Sequence, residues 1–381
     1  MADDFEKPTI WTEAIAAPDF LAATGEDDAE PLVDRILVPG SLTLFVAPRG
    51  LGKTHVSMAQ AVALATGGTF LGQQMTQCRV LYVDRDNPVR ELRRRAEAWG
   101  AGAAGENLKI LTRLNAPPLT DRTWLTFPFA DYDVVIIDSV SSATEGVDES
   151  SGGDSGAALA PLLDVARNGP AVLALCNTDK MGWKIRGSGV LSDRADIVLE
   201  CRDATNLDLD PRKDVWWESL PESGEQAWAL RAKRRHRRDT YRLAVVPSKF
   251  RSAEEPDPFV IEISMKDDEP WAMREVTGEV EAALDGARRD ATASREQKIK
   301  DAVVELMHAL EKNPMGKTAA VSFLCDRGLN RTQARQKVID EIPREMFAAE
   351  ASRPGPRAEK QPALKLVKNE PAKGAVVTKE L

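Results

Sequence analysis

The run Leu42-Thr-Leu-Phe-Val46 leads into Ala47-Pro-Arg-Gly-Leu-Gly52, and Lys53-Thr54 follow without a break. No other stretch limits the possible folds so tightly. The run is β-branched and aromatic enough for a buried parallel strand. Gly50 and Gly52 can adopt backbone angles that turn consecutive N–H groups toward one anion. Lys53 is then in reach of β- and γ-phosphates, and the Thr54 hydroxyl can hold Mg²⁺. A helix expected over residues 55–66 aims its positive N-terminal end at the same phosphates. The residues expected to bind nucleotide are therefore Ala47, Pro48, Arg49, Gly50, Leu51, Gly52, Lys53, Thr54 and His55. The pattern G-x-x-x-x-G-K-[ST] has glycine where this chain has Ala47; alanine tolerates many of the same angles, so binding is expected to survive.

With 381 residues, 43% of them apolar, the chain has room for a large α/β core and a smaller appendage. No apolar run approaches the ~20 residues of a membrane span, and the acidic N-terminus lacks a signal-peptide pattern. A cytoplasmic protein with no membrane partner is expected. The four cysteines (Cys78, Cys176, Cys201 and Cys325) lie far apart with no C-x-x-C pair, which argues against a structural zinc site or a disulfide framework. A net charge of −9 argues against indiscriminate coating of nucleic acid, although the basic residues are clustered.

Residues 1–30 read as an acidic, flexible arm, and 31–285 as an α/β domain with a mostly parallel sheet and an antiparallel extension. Strands are expected at 79–84, 134–138 and 171–176, then at 197–200, 227–232, 241–246, 259–264 and 271–276. Helices are expected over 88–99 and 154–167, and 202–226 reads as an insertion or long hairpin. A second unit over 290–350 is expected to open with a capping box, Ser294 to Gln297, and to hold three short helices, the third capped by Asn330 and Gln333. That pattern suggests a helix-turn-helix or winged-helix domain. Residues 351–381 read as a disordered tail. Met315-Gly-Lys-Thr318 repeats the phosphate-loop letters without a preceding strand, so no nucleotide role is expected there.

Asp138 closes the otherwise apolar run Val134-Val-Ile-Ile. A bare buried carboxylate is costly, but at the carboxyl edge of a parallel sheet it faces the ligand crevice and can hold Mg²⁺ through water. Hydrolysis also needs a group to orient or deprotonate the attacking water. Asp84, Asp86 and Asn87 end the second strand, with Asp86 favoured as base, Asp84 second, and Asn87 read as a helix cap.

The order of phosphate loop, acidic residue after the second strand, and apolar-Asp138-Ser139 resembles the RecA-like ATPases. Ile185-Arg-Gly-Ser-Gly through Ala195-Asp-Ile-Val-Leu199 resembles a segment of DnaB-type hexameric helicases, and Lys233-Arg-Arg235 is similar to their Lys-x-Arg motif. The match is closest to the plasmid- and phage-encoded RepA-like ATPases, many of which carry a C-terminal winged helix. The resemblance implies ATP and Mg²⁺ as ligands, with Lys53, Asp86 and Asp138 catalytic and Thr54 and Asp138 on the metal. Asn177 and Thr178 would sense the γ-phosphate. Lys233 and Arg235, or as runner-up Arg186, would reach a neighbouring subunit's site. Asp86 stands where the family usually has Glu, and Asn177 where it often has His.

The expected function is a ring-forming, hexameric ATP-driven helicase acting on single- or double-stranded DNA with other replication proteins. The alternatives are a recombinase or recombination mediator, and an ATP-switched DNA-binding regulator without motor activity. The run Lys233, Arg234, Arg235, Arg237, Arg238 and Arg242, continued by Lys249 and Arg251, could face the adjacent ATP site or a channel holding DNA. Arg331, Arg335 and Lys337 could touch DNA from the third C-terminal helix.

Overall fold

The computed structural model describes residues 17, 30–144, 152–178, 190–221, 239–251, 254–266 and 269–347. The expected strand at 227–232, the arm apart from residues 17 and 30, the tail, Arg186 and Lys233 to Arg238 lie outside these residues.

Strand β1 (Leu42–Ala47) is buried at every position, because both faces of the sheet are covered. Phe45 and Ala47 join one core layer, Leu42, Leu44 and Val46 the other. A short ladder follows, β2 (Thr69–Phe70) with β3 (Gln73–Gln74), and then β4 (Val80–Asp84), β5 (Leu108–Thr112), β6 (Val134–Asp138), β7 (Ala171–Asn177) and β8 (Ile197–Asp203). The chain continues into β9 (Thr240–Phe250), β10 (Phe259–Ser264) and β11 (Ala272–Glu275). The sheet order is β11-β10-β9-β8-β1-β7-β6-β4-β5. Strands β8, β1, β7, β6, β4 and β5 run parallel, and β9, β10 and β11 add antiparallel neighbours beyond β8.

Helix α1 (Lys53–Thr66) starts at Gly52, whose φ is 96°, and stops at Gly67, where φ is 67° and the amide bonds back to the Ala63 and Leu64 carbonyls. It covers one face together with α2 (Val89–Ala98), which contributes Leu92 and Ala96. The opposite face is covered by Leu162, Leu163, Val165 and Ala166 of α4 (Gly152–Arg167), by Leu191 of α5 (Val190–Arg194), and by Trp124. The one-turn helix α3 (Val140–Ala143) follows β6 directly. Burying such Leu, Ile and Val side chains is worth ~1.5–3 kcal/mol each, so this two-layer core dominates the stability of the domain.

Several expectations are corrected. Strand β5 was not expected. Only Leu108 of it is buried, since it is the sheet's edge strand, and an edge strand carries little apolar signal. The stretch after β8, expected as an insertion or long hairpin, adds to the core: Trp216 and Leu220 are buried with Val276, Val280 and Leu284 against Ala244 and Val260 of the antiparallel strands. Ser294 does not cap a helix, because α6 is continuous from Thr277 to Lys312. Gly278 and Gly286 weaken such a helix by only ~1 kcal/mol each, and no proline interrupts it.

The chain divides into two compact units, Met1–Ala291 and Thr292–Leu381. In the second unit, Ala302, Val303, Leu306 and Leu310 of α6 pack with Ala320 and Leu324 of α7 (Lys317–Cys325) and Ala334 and Val338 of α8 (Arg331–Asp340). Asn330 accepts from the Gln333 amide at 2.9 Å while the Gln333 side chain reaches back, the capping box read from the sequence. No strand lies among the described residues of this unit.

Candidate nucleotide site

The loop after β1 and the carboxyl ends of β7, β6 and β4 surround one cavity of about 400 Å³. Strand β7 lies between β1 and β6, so the loop and Asp138 face each other across one strand's width with Asn177 between them. The cavity is lined by Arg49, Gly50, Gly52, Lys53, Thr54, His55, Asp86, Asp138 and Asn177 of the expected set. Asn87, Arg95, Tyr241 and Met265 complete it.

Ala47 ends β1, fully buried and without positive φ. An extended backbone suits alanine as well as glycine, so the departure from the glycine pattern has no conformational cost here. The positive angles fall on Gly50 (φ 73°) and Gly52. At Gly52 a side chain is excluded twice: a Cβ would sit 2.2 Å from the Tyr241 hydroxyl.

Lys53 is buried and donates to the carbonyls of Ala47 at 2.8 Å and Pro48 at 3.3 Å and to Asn177 Oδ1 at 2.8 Å. Burial pulls its pKa down, opposed mainly by the charge of Asp138. Asn177 also donates to Ser141 Oγ at 3.2 Å. The Thr178 amide donates to the Ala47 carbonyl at 3.3 Å, while its buried hydroxyl has no partner among the described residues.

Thr54 Oγ1 donates to Asp138 Oδ2 at 2.6 Å. Tyr82, one strand away, donates to the same oxygen at 3.2 Å and meets Ser57 Oγ at 2.8 Å. Asp138 stands beside Asp84 in the β4–β6 register. Burial first, and the Asp84 charge second, push the Asp138 carboxyl up to about 7, with the Thr54 and Tyr82 hydrogen bonds pulling the other way. A hydroxyl and a carboxylate side by side, with charge that burial makes costly, suit a hard divalent cation such as Mg²⁺.

The two remaining acids differ in what surrounds them. Asp84 is buried, and its carboxylate accepts from the Asp86 amide at 2.9 Å, the Asn87 amide at 2.8 Å and Asn87 Nδ2 at 2.9 Å. It therefore ties down the turn, the part the sequence had suggested for Asn87. Asp86 is exposed on the cavity wall. Asn87 bridges Asp84 and Asp138 (Nδ2 to Asp138 Oδ2, 3.5 Å) and accepts from Arg95 Nη1 at 3.0 Å.

Sequence reasoning missed Tyr82, Arg95, Tyr241 and Met265. Tyr82 was findable as the one hydroxyl in an apolar strand. The other three carry no local signal.

Part of the basic run is engaged inside the protein. Lys249 donates to the Ser192 and Asp193 carbonyls at 2.7 Å each, at the C-terminal end of α5, and Arg251 reaches Asp193 and Asp196. Arg242 pairs with Glu262 at 2.8 Å and Glu279 at 2.9 Å. All three thus make contacts within the protein.

Among known proteins, residues 16–182 match the family model described as AAA domain. The DNA repair protein RadA of Mycobacterium tuberculosis, in strains CDC 1551 / Oshkosh and ATCC 25618 / H37Rv, is 27% identical over 179 residues. The aligned part is 46% of this chain and 35% of RadA, so the chain spans about a third of the length of these curated relatives. Flagellar accessory protein FlaH from Methanocaldococcus jannaschii matches in structure with a TM-score of 0.39 and 13% identity, over 63% of this chain and 91% of that one. No helix among the described residues is long and apolar enough to cross a membrane. Residues 16–182 are thus similar to the AAA domain family.

Proposed function

We propose that this protein binds MgATP at the β1 loop and hydrolyses it to drive work on DNA, as a ring-forming, cytoplasmic helicase of the DnaB/RepA-like kind. The observation that carries the nucleotide reading is the convergence of Lys53, Thr54, Asp138 and Asn177 at one cavity. Gly50 and Gly52 would turn loop amides toward the phosphates, and Lys53 would exchange its carbonyl contacts for the β- and γ-phosphate oxygens. Thr54 and Asp138 would hold Mg²⁺, which when bound offsets phosphate charge. Asp86, an exposed carboxylate on the cavity wall, would take a proton from the attacking water, and Asn177, already on Lys53, would register the γ-phosphate. Lys233 and Arg235, with Arg186 as the other candidate, would complete a neighbour's site in a hexamer. The second unit would act as a helix-turn-helix module, presenting Arg331 and Arg335 to DNA.

A second reading, a recombinase or recombination mediator, is favoured by the similarity to RadA, a DNA repair protein. The test is ATP turnover with and without single-stranded DNA, for wild type and Lys53→Ala, at two salt concentrations. Salt-sensitive stimulation that Lys53→Ala abolishes is expected. A rate indifferent to DNA would overturn both DNA-motor readings and leave a nucleotide-switched regulator. Unwinding of a forked duplex then separates helicase from mediator.

A further inference from the structure

Tyr82 stands in the middle of β4 with no exposed surface, yet its hydroxyl reaches the nucleotide site. In the β4–β6 register Tyr82 pairs with Ile136 and Asp84 with Asp138, so Tyr82 and Asp138 lie on one face of the sheet, two positions apart. Tyr82 and Ile136 belong to the core layer under α1. Thr54 and Ser57 sit one turn apart on that helix and reach the same two groups. Thr54 Oγ1 donates to Asp138 Oδ2 at 2.6 Å, and Ser57 Oγ meets the Tyr82 hydroxyl at 2.8 Å.

Which group donates follows from charge. An ionised carboxylate only accepts, and a hydrogen bond to a charged group is the stronger one. The Tyr82 proton therefore goes to Asp138 Oδ2 at 3.2 Å. Ser57 then donates to the phenol oxygen, which is nearer than its other acceptor, the Thr54 carbonyl at 3.2 Å. A third donor, Asn87 Nδ2, approaches Asp138 Oδ2 at 3.5 Å. Arg95 donates to Asn87 Oδ1 at 3.0 Å, which turns the amide nitrogen of Asn87 toward the carboxylates. All three donors converge on Oδ2. Among the described residues no hydrogen bond reaches Asp138 Oδ1, and Asp138 lines the cavity.

We propose that Tyr82 is a positioning residue for the metal. With Ser57 behind it, its hydroxyl holds the Asp138 carboxylate by Oδ2 and leaves Oδ1 as the oxygen offered to Mg²⁺ or to its water. The inference rests on the reading above, in which Thr54 and Asp138 hold Mg²⁺. Partners behind a metal ligand set its orientation, and losing one costs about 10–100-fold in metal affinity. A phenylalanine would fill the same space in β4, so the hydroxyl alone carries the effect.

The test measures ATP affinity of the full chain in excess EDTA and across a Mg²⁺ titration. Mn²⁺ binding to the ATP complex is followed by electron paramagnetic resonance, and the melting temperature of each variant is recorded. Tyr82→Phe is expected to leave ATP affinity in EDTA unchanged and to weaken Mg²⁺ and Mn²⁺ binding by ~10-fold. Ser57→Ala should weaken them by less, ~3-fold, and add nothing in the Tyr82→Phe background, because its effect passes through the phenol. If Tyr82→Phe weakens ATP equally with and without Mg²⁺, or only melts lower, the hydroxyl serves packing and the proposal is overturned. An unchanged Mg²⁺ requirement, or a Ser57→Ala effect that adds fully to that of Tyr82→Phe, overturns it as well. Asp138→Asn separates this inference from the reading beneath it, since it should abolish the gain in ATP affinity that Mg²⁺ brings. If Asp138→Asn keeps that gain, the metal reading fails and the role of Tyr82 with it. If Asp138→Asn loses the gain while Tyr82→Phe keeps it in full, the role of Tyr82 alone fails.

Discussion

The cations of the antiparallel extension and those of the C-terminal helical unit look alike in sequence and are used differently. In the extension, Arg242 and Arg274 share Glu262 and Glu279, and Lys249 and Arg251 close the carbonyl end of α5. In the helical unit, Arg331 and Arg335 line a groove with Lys317, Val321, Cys325 and Ile339, and among the described residues no carboxylate pairs with either arginine. Ile339 beside them is 70% exposed. A paired cation contributes to the fold and has little charge left to offer. An unpaired one adds nothing to stability and keeps its full attraction for phosphate. Charge runs in a sequence therefore say little about nucleic acid until their partners are known.

Lys53 is the extreme case of an engaged cation, and its loss should give the largest effect. Lys53→Ala is expected to lower ATP turnover by ~10²–10³, the scale of losing one preorganised donor, measured as steady-state phosphate release. Next, the double change Arg331→Ala with Arg335→Ala should leave the melting temperature where it was. It should reduce the slope of log affinity for duplex DNA against log salt by about 2. A loss of stability without a change in slope would erase the distinction between the two regions.

Lys249→Met tests the other side. It should cost ~1 kcal/mol in urea unfolding, because it leaves helix-end carbonyls without their cation, and the DNA salt slope should not move. A changed slope with unchanged stability would return Lys249 to the nucleic-acid surface.

The smallest effect concerns Asp138. Its folded pKa, about 7, lies above its unfolded value, so ionisation costs stability in the ligand-free protein. That cost is complete above pH 7 and is relieved as pH falls toward the unfolded pKa. Ligand-free protein should gain ~1 kcal/mol between pH 8 and pH 6, and Asp138→Asn should flatten that rise. Mg²⁺–nucleotide affinity should run the opposite way and weaken below pH 7, because the metal competes with the proton.

How much was legible differs between parts of the cavity's lining. The loop after β1 and the strand-end residues were legible because their parts are local: Gly50, Gly52, Lys53 and Thr54 lie within one short run, and Asp138 and Asn177 end apolar strands. Part of the remaining lining was not, since Arg95, Tyr241 and Met265 come from separate parts of the chain with no shared spacing. The edge strand β5 escaped notice because half-exposed strands carry weak hydrophobic patterning. Ser294 misled because a capping pattern in mid-helix looks the same in sequence as one at a helix start.

By itself the sequence determined the parallel core, the phosphate loop and the acid at the end of β6, all of which follow from short-range patterns of apolar runs, glycines and carboxylates. Only the tertiary structure decided which carboxylate ties the turn and which stands open, which cations are neutralised, and which rings close the cavity. Those outcomes depend on packing between elements distant in the chain, where burial and pairing, rather than residue type, set the energy of each group.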